Sequence, residues 1–486
     1  MLKTASILLF AFQISQVVCF TCPTAPIAAT TLGGNLPVGA TNITLVPSGT
    51  NCIFTFDIPN NYALLLKFSV DFQSNDDTVQ LVDNRKVTRN LTHTGSILYD
   101  APIWVSPRSS QVIVRGVSGN TRFMLSYMFQ AVNDYKQVKK RTGEHFALND
   151  IDSKTYYTIT ASSDTEKVVV NHALRAGTAE DTKLQDYFVY DGDNINTANM
   201  IGTLADFGSK IIPSTSNSIT IVNFYGTRSP SYALGNDAST LNGFSSYTVS
   251  VTSLGSSIND KFRDLSDNGG LYTIICSDCS IFYWTKIDFD SFGTFNTGYI
   301  TFQGQTPTHN REKLIKYDSM TFMDNQLPQM LPTNIVTVKV YLSTIAYNLN
   351  TINDDTVWKK PYDGRKGLIF SPSLWSSAAN NFNYEFRDDS HLYNFTLNMN
   401  KMSFPTSNDQ MTLKIGSGTG TPAVNNQYPH DKSSNGIVMS NGNYMQVGLA
   451  ASVGADVRLS FEMRKVNSSN LIGTLTSIVL VVIYIF

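Results

Sequence analysis

Two cysteines three residues apart, in Cys276-Ser277-Asp278-Cys279, form the tightest reactive pair in the sequence. Closely spaced thiols exchange disulfides when a helix N-terminus or a nearby cation lowers one pKa. Here the pair follows the strand-like run Leu271 to Ile275 and precedes the aromatic Ile281-Phe282-Tyr283-Trp284, so a structural clip at a strand turn is the preferred reading. Zinc would need two further ligands at suitable spacing, and none is close. The histidines, at positions 93, 145, 172, 309, 391 and 430, are scattered without metal spacing. No Gly-x-Ser-x-Gly nucleophile elbow occurs, and Asp206-Phe207-Gly208 copies a kinase tripeptide with no catalytic-loop or glycine-rich partner. Gly416-Ser417-Gly418-Thr419-Gly420 lacks the strand and helix context of a phosphate cradle and reads as a turn. What remains for catalysis is a hydrolase whose Asp and Glu residues converge only in space.

The elements that would position such residues belong to a secreted chain. Lys3, the apolar run Ala5 to Phe12 and the segment ending Val17-Val18-Cys19 read as a signal peptide over 1–19, with the mature chain beginning near Phe20. At the other end, Leu471 to Phe486 is uncharged and short for a bilayer core of about 30 Å. It follows the small polar cluster Asn467-Ser468-Ser469-Asn470. Small residues, a short spacer and an apolar tail are the signal for a glycosylphosphatidylinositol anchor. The reading is attachment at Asn467 or Ser468 with 465–486 as the signal; a short membrane-spanning tail is the alternative. Loss of Cys19 leaves Cys22, Cys52, Cys276 and Cys279, an even count that suits an oxidising compartment. Three pairings are possible, and local spacing favours Cys22 with Cys52 and Cys276 with Cys279. Acceptor sequons at Asn42, Asn90 and Asn394 agree with secretion; that at Asn467 overlaps the anchor site.

Charged residues are 15% of the chain and the net charge is −2, which leaves no electrostatic footprint for nucleic acid. Hydrophobic content of 42% over 486 residues supports several cores. Alternation with a period of two dominates, as in Cys52-x-Phe54-x-Phe56-x-Ile58 and, after Pro59-Asn60-Asn61, Tyr62-x-Leu64-x-Leu66-x-Phe68-x-Val70. No long segment shows helical spacing. The predicted fold is all-β, built from tandem jelly-roll-like sandwiches. Polar stretches at 131–150, 254–270 and 353–367 read as linkers or long loops that cut the chain into four pieces, 20–130, 151–253, 271–352 and 368–464.

The first piece resembles the CUB-like domain family known from nematode secreted and surface proteins. The resemblance rests on Cys22, on Asn51-Cys52-Ile53-Phe54-Thr55-Phe56-Asp57-Ile58-Pro59-Asn60-Asn61-Tyr62 and the strand that follows, and on the acidic-ended strand Asp77-Thr78-Val79-Gln80-Leu81-Val82-Asp83. The second piece is similar but more diverged, with Asp186-Tyr187-Phe188-Val189-Tyr190-Asp191-Gly192 and a serine-rich turn before Ile219-Thr220-Ile221-Val222. The resemblance implies extracellular binding of a protein or glycan, with defence against pathogens among the associated roles, and no catalysis. Some CUB domains bind calcium through a Glu and two Asp in neighbouring loops, which makes Asp186 and Asp191 weak calcium candidates and leaves no other cofactor. Alternatives to a binding protein are the hydrolase above and a structural coat protein.

Overall fold

The structure, a computed structural model, describes residues 20–92, 97–289, 298–309, 312–352, 354–372, 381–430 and 436–466. Residues 1–19, read above as a signal peptide, His93, and Asn467 and Ser468, read above as anchor positions, lie outside these. As predicted, the chain is all-β.

The first region places two five-stranded sheets face to face. One carries Thr50–Ile58 beside Arg108–Gly116, then Thr78–Val82 and Thr88–Leu91; the other centres on Arg122–Ala131 and Tyr62–Asp71. The two strands around Pro59-Asn60-Asn61 therefore lie in opposite sheets. Each sends alternate residues inward, so Phe54 and Phe56 meet Leu64, Leu66 and Phe68 in one core with Val112, Phe123 and Leu125. Each such buried side chain contributes about 1.5–3 kcal/mol.

The stretches read as linkers contribute strands, a correction to the predicted boundaries. Lys136–Arg141 within 131–150 pairs in parallel with Thr155–Thr160 at the edge of a five-stranded sheet. Its charged side chains face solvent, as edge strands favour, and that hid its strand character. Ser257–Asp264 within 254–270 pairs with Ser343–Asn350 and buries only Ile258, Phe262 and Asp264. The 353–367 stretch holds a short helix, Thr356–Lys359, with Trp358 buried, and the start of the strand Arg365–Phe370.

The second and third pieces are also not separate. Ser246–Thr252 pairs in parallel with Gly270–Cys276, and this ladder joins both pieces into one eight-stranded sheet. The last region is a pair of four-stranded sheets. One runs Arg365–Phe370, Asp456–Lys465, Tyr393–Ser403, Ile437–Gly442; the other runs Phe382–Arg387, Tyr444–Ala450, Gln410–Gly416, Val424–Pro429. Their inner faces meet at Phe395, Leu397, Met411, Leu413, Val447 and Phe461. Among the described residues no helix is long and apolar enough to cross a membrane.

Candidate binding site at the seam of the first two regions

The strand Tyr187–Asp191 buries Tyr187, Phe188, Val189 and Tyr190 in succession. In a strand, neighbours point to opposite faces, so an unbroken buried run requires cover on both. Tyr187 and Val189 face their own core. Phe188 and Tyr190 face the first region, where they join Ala63, Val132, Tyr156 and Phe224 in a second apolar cluster. Trp104 of the first region lies 5.6 Å from Phe224 by ring centroids, and Phe224 lies 5.3 Å from Phe188. The backbone N–H of Trp104 donates to the Tyr225 hydroxyl at 3.0 Å. Burial raises the pKa of Tyr225, and the bonds from Trp104 and Arg89 draw it part of the way back.

A cleft of about 220 Å³ opens at the margin of this seam. Ile103, Trp104, Phe188 and Met200 form an apolar floor; Arg85, Arg89, Gln185 and Asp206 stand around it. Arg85 is fixed from both regions: its Nη1 donates to the Ile201 carbonyl at 2.8 Å, and its guanidinium lies 3.6 Å from Asp206 and 3.7 Å from Asp83. Asp83 holds the turn that presents Arg85 by accepting from the backbone N–H groups of Arg85 and Val87, each at 2.9 Å. Arg108 donates across the same seam to Asn199 at 2.8 Å. A cleft with fixed walls, an apolar floor and a rim of arginine and aspartate groups can take an apolar side chain flanked by polar groups.

The sequence-predicted carboxylates serve elsewhere. Asp186 and Asp191 flank the ends of one strand, about 16 Å apart at a rise of ~3.3 Å per residue. Asp186 accepts from the Thr227 hydroxyl at 2.8 Å; Asp191 accepts from the backbone N–H groups of Thr215 and Ser216 and from the Ser216 hydroxyl. Calcium needs six to eight oxygens around one point. Among the described residues no three His, Cys, Asp or Glu side chains gather as a metal site, so the Asp186 and Asp191 pair does not fit the ion.

Instead, acids clasp loops. Asp77 is buried and accepts from Val117 N–H, Ser118 N–H, the Ser118 hydroxyl and the Thr121 hydroxyl. Burial alone would raise its pKa; the hydroxyls of Ser118 and Thr121 and the two N–H groups outweigh that and hold it at about 2. Asp181 does the same with the Ser229 and Ser231 hydroxyls, Asp264 with Ser245 and Ser266, and Asp409 with Thr406 and Ser452.

The cysteines form Cys22–Cys52, with Cα atoms 5.4 Å apart, and Cys276–Cys279, with Cα atoms 5.5 Å apart. Asn42 and Asn90 are exposed; Asn394 is half-buried on a strand. None of these lines the seam cleft. Sequence reading missed Arg85, Arg89, Trp104 and Gln185 because cleft formation depends on two regions meeting. The available signal was the unalternating Tyr187-Phe188-Val189-Tyr190, which announces a covered second face.

No curated protein sequence matches the chain. Among solved structures, the CUB1-EGF-CUB2 domain of human MASP-1/3 is 11% identical and covers 42% of this chain and 99% of its own, with a TM-score of 0.18. The corresponding rat MASP-1 structure gives 12% identity, 44% and 99% coverage and a TM-score of 0.18. The full extracellular region of zebrafish Gpr126/Adgrg6 is 10% identical over 92% of this chain, which spans 53% of that structure, with a TM-score of 0.20. At such identities and scores the likeness carries no argument about ligand or activity. The CUB-like domain family model matches residues 17–133, and the facing sheets stapled by Cys22–Cys52 are that CUB-like domain.

Proposed function

We propose that this chain is an extracellular interaction protein, tethered to the outer cell surface by a lipid on Asn467 or Ser468, that grips a protein partner at the seam cleft. The observation that carries this reading is the seam itself. A two-sided aromatic contact fixes the first region against the second and leaves Arg85 and Arg89 beside an apolar floor. A rigid groove loses little conformational entropy on binding, which favours a preformed contact site. The Ser- and Thr-saturated acids favour binding over hydrolysis, since a carboxylate held at a depressed pKa by fixed donors is a poor proton shuttle. The CUB-like region adds support for an extracellular partner, with a role in defence as the narrower form of the proposal.

The test displays the full chain on animal cells with a photo-crosslinking residue replacing Gln185. A defined adduct that Arg89→Glu abolishes, and that a crosslinker at the distant Gln427 does not form, supports the reading. Equal adducts from both positions overturn it. Phosphatidylinositol-specific phospholipase should release the protein into the medium; retention on cells refutes the lipid anchor. Unchanged expression after pathogen exposure would remove the defence role and leave the cleft untouched.

A further inference from the structure

The outer face of the sheet containing Tyr393–Ser403 carries an exposed apolar pair at its edge. Ile437 is 65% exposed and Met439 is 62% exposed. Both lie on the edge strand Ile437–Gly442 and point away from the core. In register across the ladder, Asn398 faces Ile437, Thr396 faces Met439 and Asn394 faces Asn441. Residues directly opposite in an antiparallel pair share a face. The acceptor Asn394 of the sequon Asn394-Phe395-Thr396 therefore stands on the same surface as the apolar pair. Its side chain makes no hydrogen bond among the described residues, so its amide nitrogen is available for linkage.

That surface is also the floor of a groove of about 420 Å³. The far wall comes from the preceding region through Leu314, Lys316 and Gln329, while Thr396, Asn398 and Ile437 lie on the floor. Thr396 and Asn398 lie about 7 and 14 Å along the strand from Asn394 at ~3.4 Å per residue. The first sugars of an attached chain reach that far. Sugar rings offer apolar C–H faces for Ile437 and Met439 and hydroxyls for Asn398, Thr396 and Lys316. An exposed apolar pair beside a groove otherwise marks a contact surface.

We infer that an N-linked glycan on Asn394 lies along this groove and covers Ile437 and Met439, shielding the edge strand from other chains. This rests on the extracellular reading, because the linkage is made only in the secretory pathway. An edge strand presents backbone groups that can template pairing with another molecule; a glycan over its outer face obstructs that approach.

The protein provides its own controls. Met320 and Met323 are 70% and 63% exposed, matching Met439; both are remote from every sequon along the chain, and neither lines the groove. The full chain expressed in and purified from animal cells is treated with dilute peroxide, and site-resolved mass spectrometry reads both glycan occupancy and methionine oxidation. Met439 should oxidise at least about threefold more slowly than Met320 and Met323, since thioether oxidation follows exposure. Removing the glycan enzymatically, or blocking its attachment with Thr396→Ala, should bring Met439 to the control rate. Thr396→Ser keeps the sequon and should retain protection. An occupied Asn394 with Met439 oxidising like the controls overturns the inference, as does protection that survives glycan removal, which would assign the face to a second copy or another cover. Occupancy at Asn42 and Asn90 with Asn394 bare overturns it while leaving secretion intact. No glycan at any of the three overturns both.

Discussion

The first and last regions are both two-sheet sandwiches with an acid clasping loops, and they differ in how they secure their outermost segments and their buried charge. In the first, Asp77 accepts four hydrogen bonds and Cys22 is joined to Cys52. In the last, Asp409 accepts from the N–H and hydroxyl of both Thr406 and Ser452, but no disulfide is present among the described residues. The reason is position in the sheet. Cys22 precedes a two-residue edge strand, Ile27–Ala28, which by itself holds its segment weakly. The final strand, Asp456–Lys465, lies between Arg365–Phe370 and Tyr393–Ser403 and is held on both sides.

The second difference is Arg365. It is buried, its Nη1 donates to the Lys360 carbonyl, and its Nε and Nη2 have no hydrogen-bond partner among the described residues. The guanidinium sits 5.5, 5.8 and 5.6 Å from the rings of Tyr362, Phe386 and Phe461. Burial draws its pKa down to about 10. A charge saturated with donors strengthens the native state, whereas one held by aromatic faces offsets little more than its own desolvation.

Four measurements sharpen or break this comparison. Replacing Cys22 and Cys52 with Ser should cost the first region the most, about 3–4 kcal/mol for a loop of this length, while the same change at Cys276 and Cys279 should cost about 2 kcal/mol. Denaturant unfolding of the purified chain reads both, and equal losses would refute the larger stapling role of Cys22–Cys52. Next, Asp77→Ala and Asp409→Ala should each destabilise their own region by about 2–3 kcal/mol by orphaning buried donors. A loss at one alone would show that the two clasps are not equivalent.

Acid tests the clasp of the first region directly. The folded pKa of Asp77 lies below its unfolded value, so its contribution is complete above about pH 4 and disappears as pH falls toward about 2. Trp104 fluorescence should follow this loss, and Asp77→Asn should flatten the profile in that window. The smallest effect is expected at Arg365: Arg365→Met should change stability by about 1 kcal/mol or less, since an apolar side chain of similar length suits the aromatic surroundings. A loss of several kcal/mol would mean that the guanidinium has an acceptor that holds it in place.

Much of the fold was legible because a half-buried strand must alternate. Phe54 and Phe56, and Leu64, Leu66 and Phe68, declared their inward faces. Strands at edges were lost where charge hid the pattern: Lys136–Arg141 is mostly cationic, and Ser257–Asp264 turns only Ile258, Phe262 and Asp264 inward. The candidate site was barely legible. Asp186 and Asp191 have the residue types of an ion site, yet hydroxyl and amide donors in distant loops had already claimed them.

By itself the sequence determined the all-β class, through the period-two pattern; the two cysteine pairings it favoured are the ones seen in the structure, at separations of 30 and 3 residues. Tertiary structure alone decided that the second and third pieces share one sheet, that Phe188 and Tyr190 seal a seam against Trp104 and Ala63, and that Arg85 and Arg89 overlook a common cleft. The physical reason is range. Alternation and short-loop closure act between neighbours in the chain, whereas a cleft exists only where surfaces remote in sequence are pressed together.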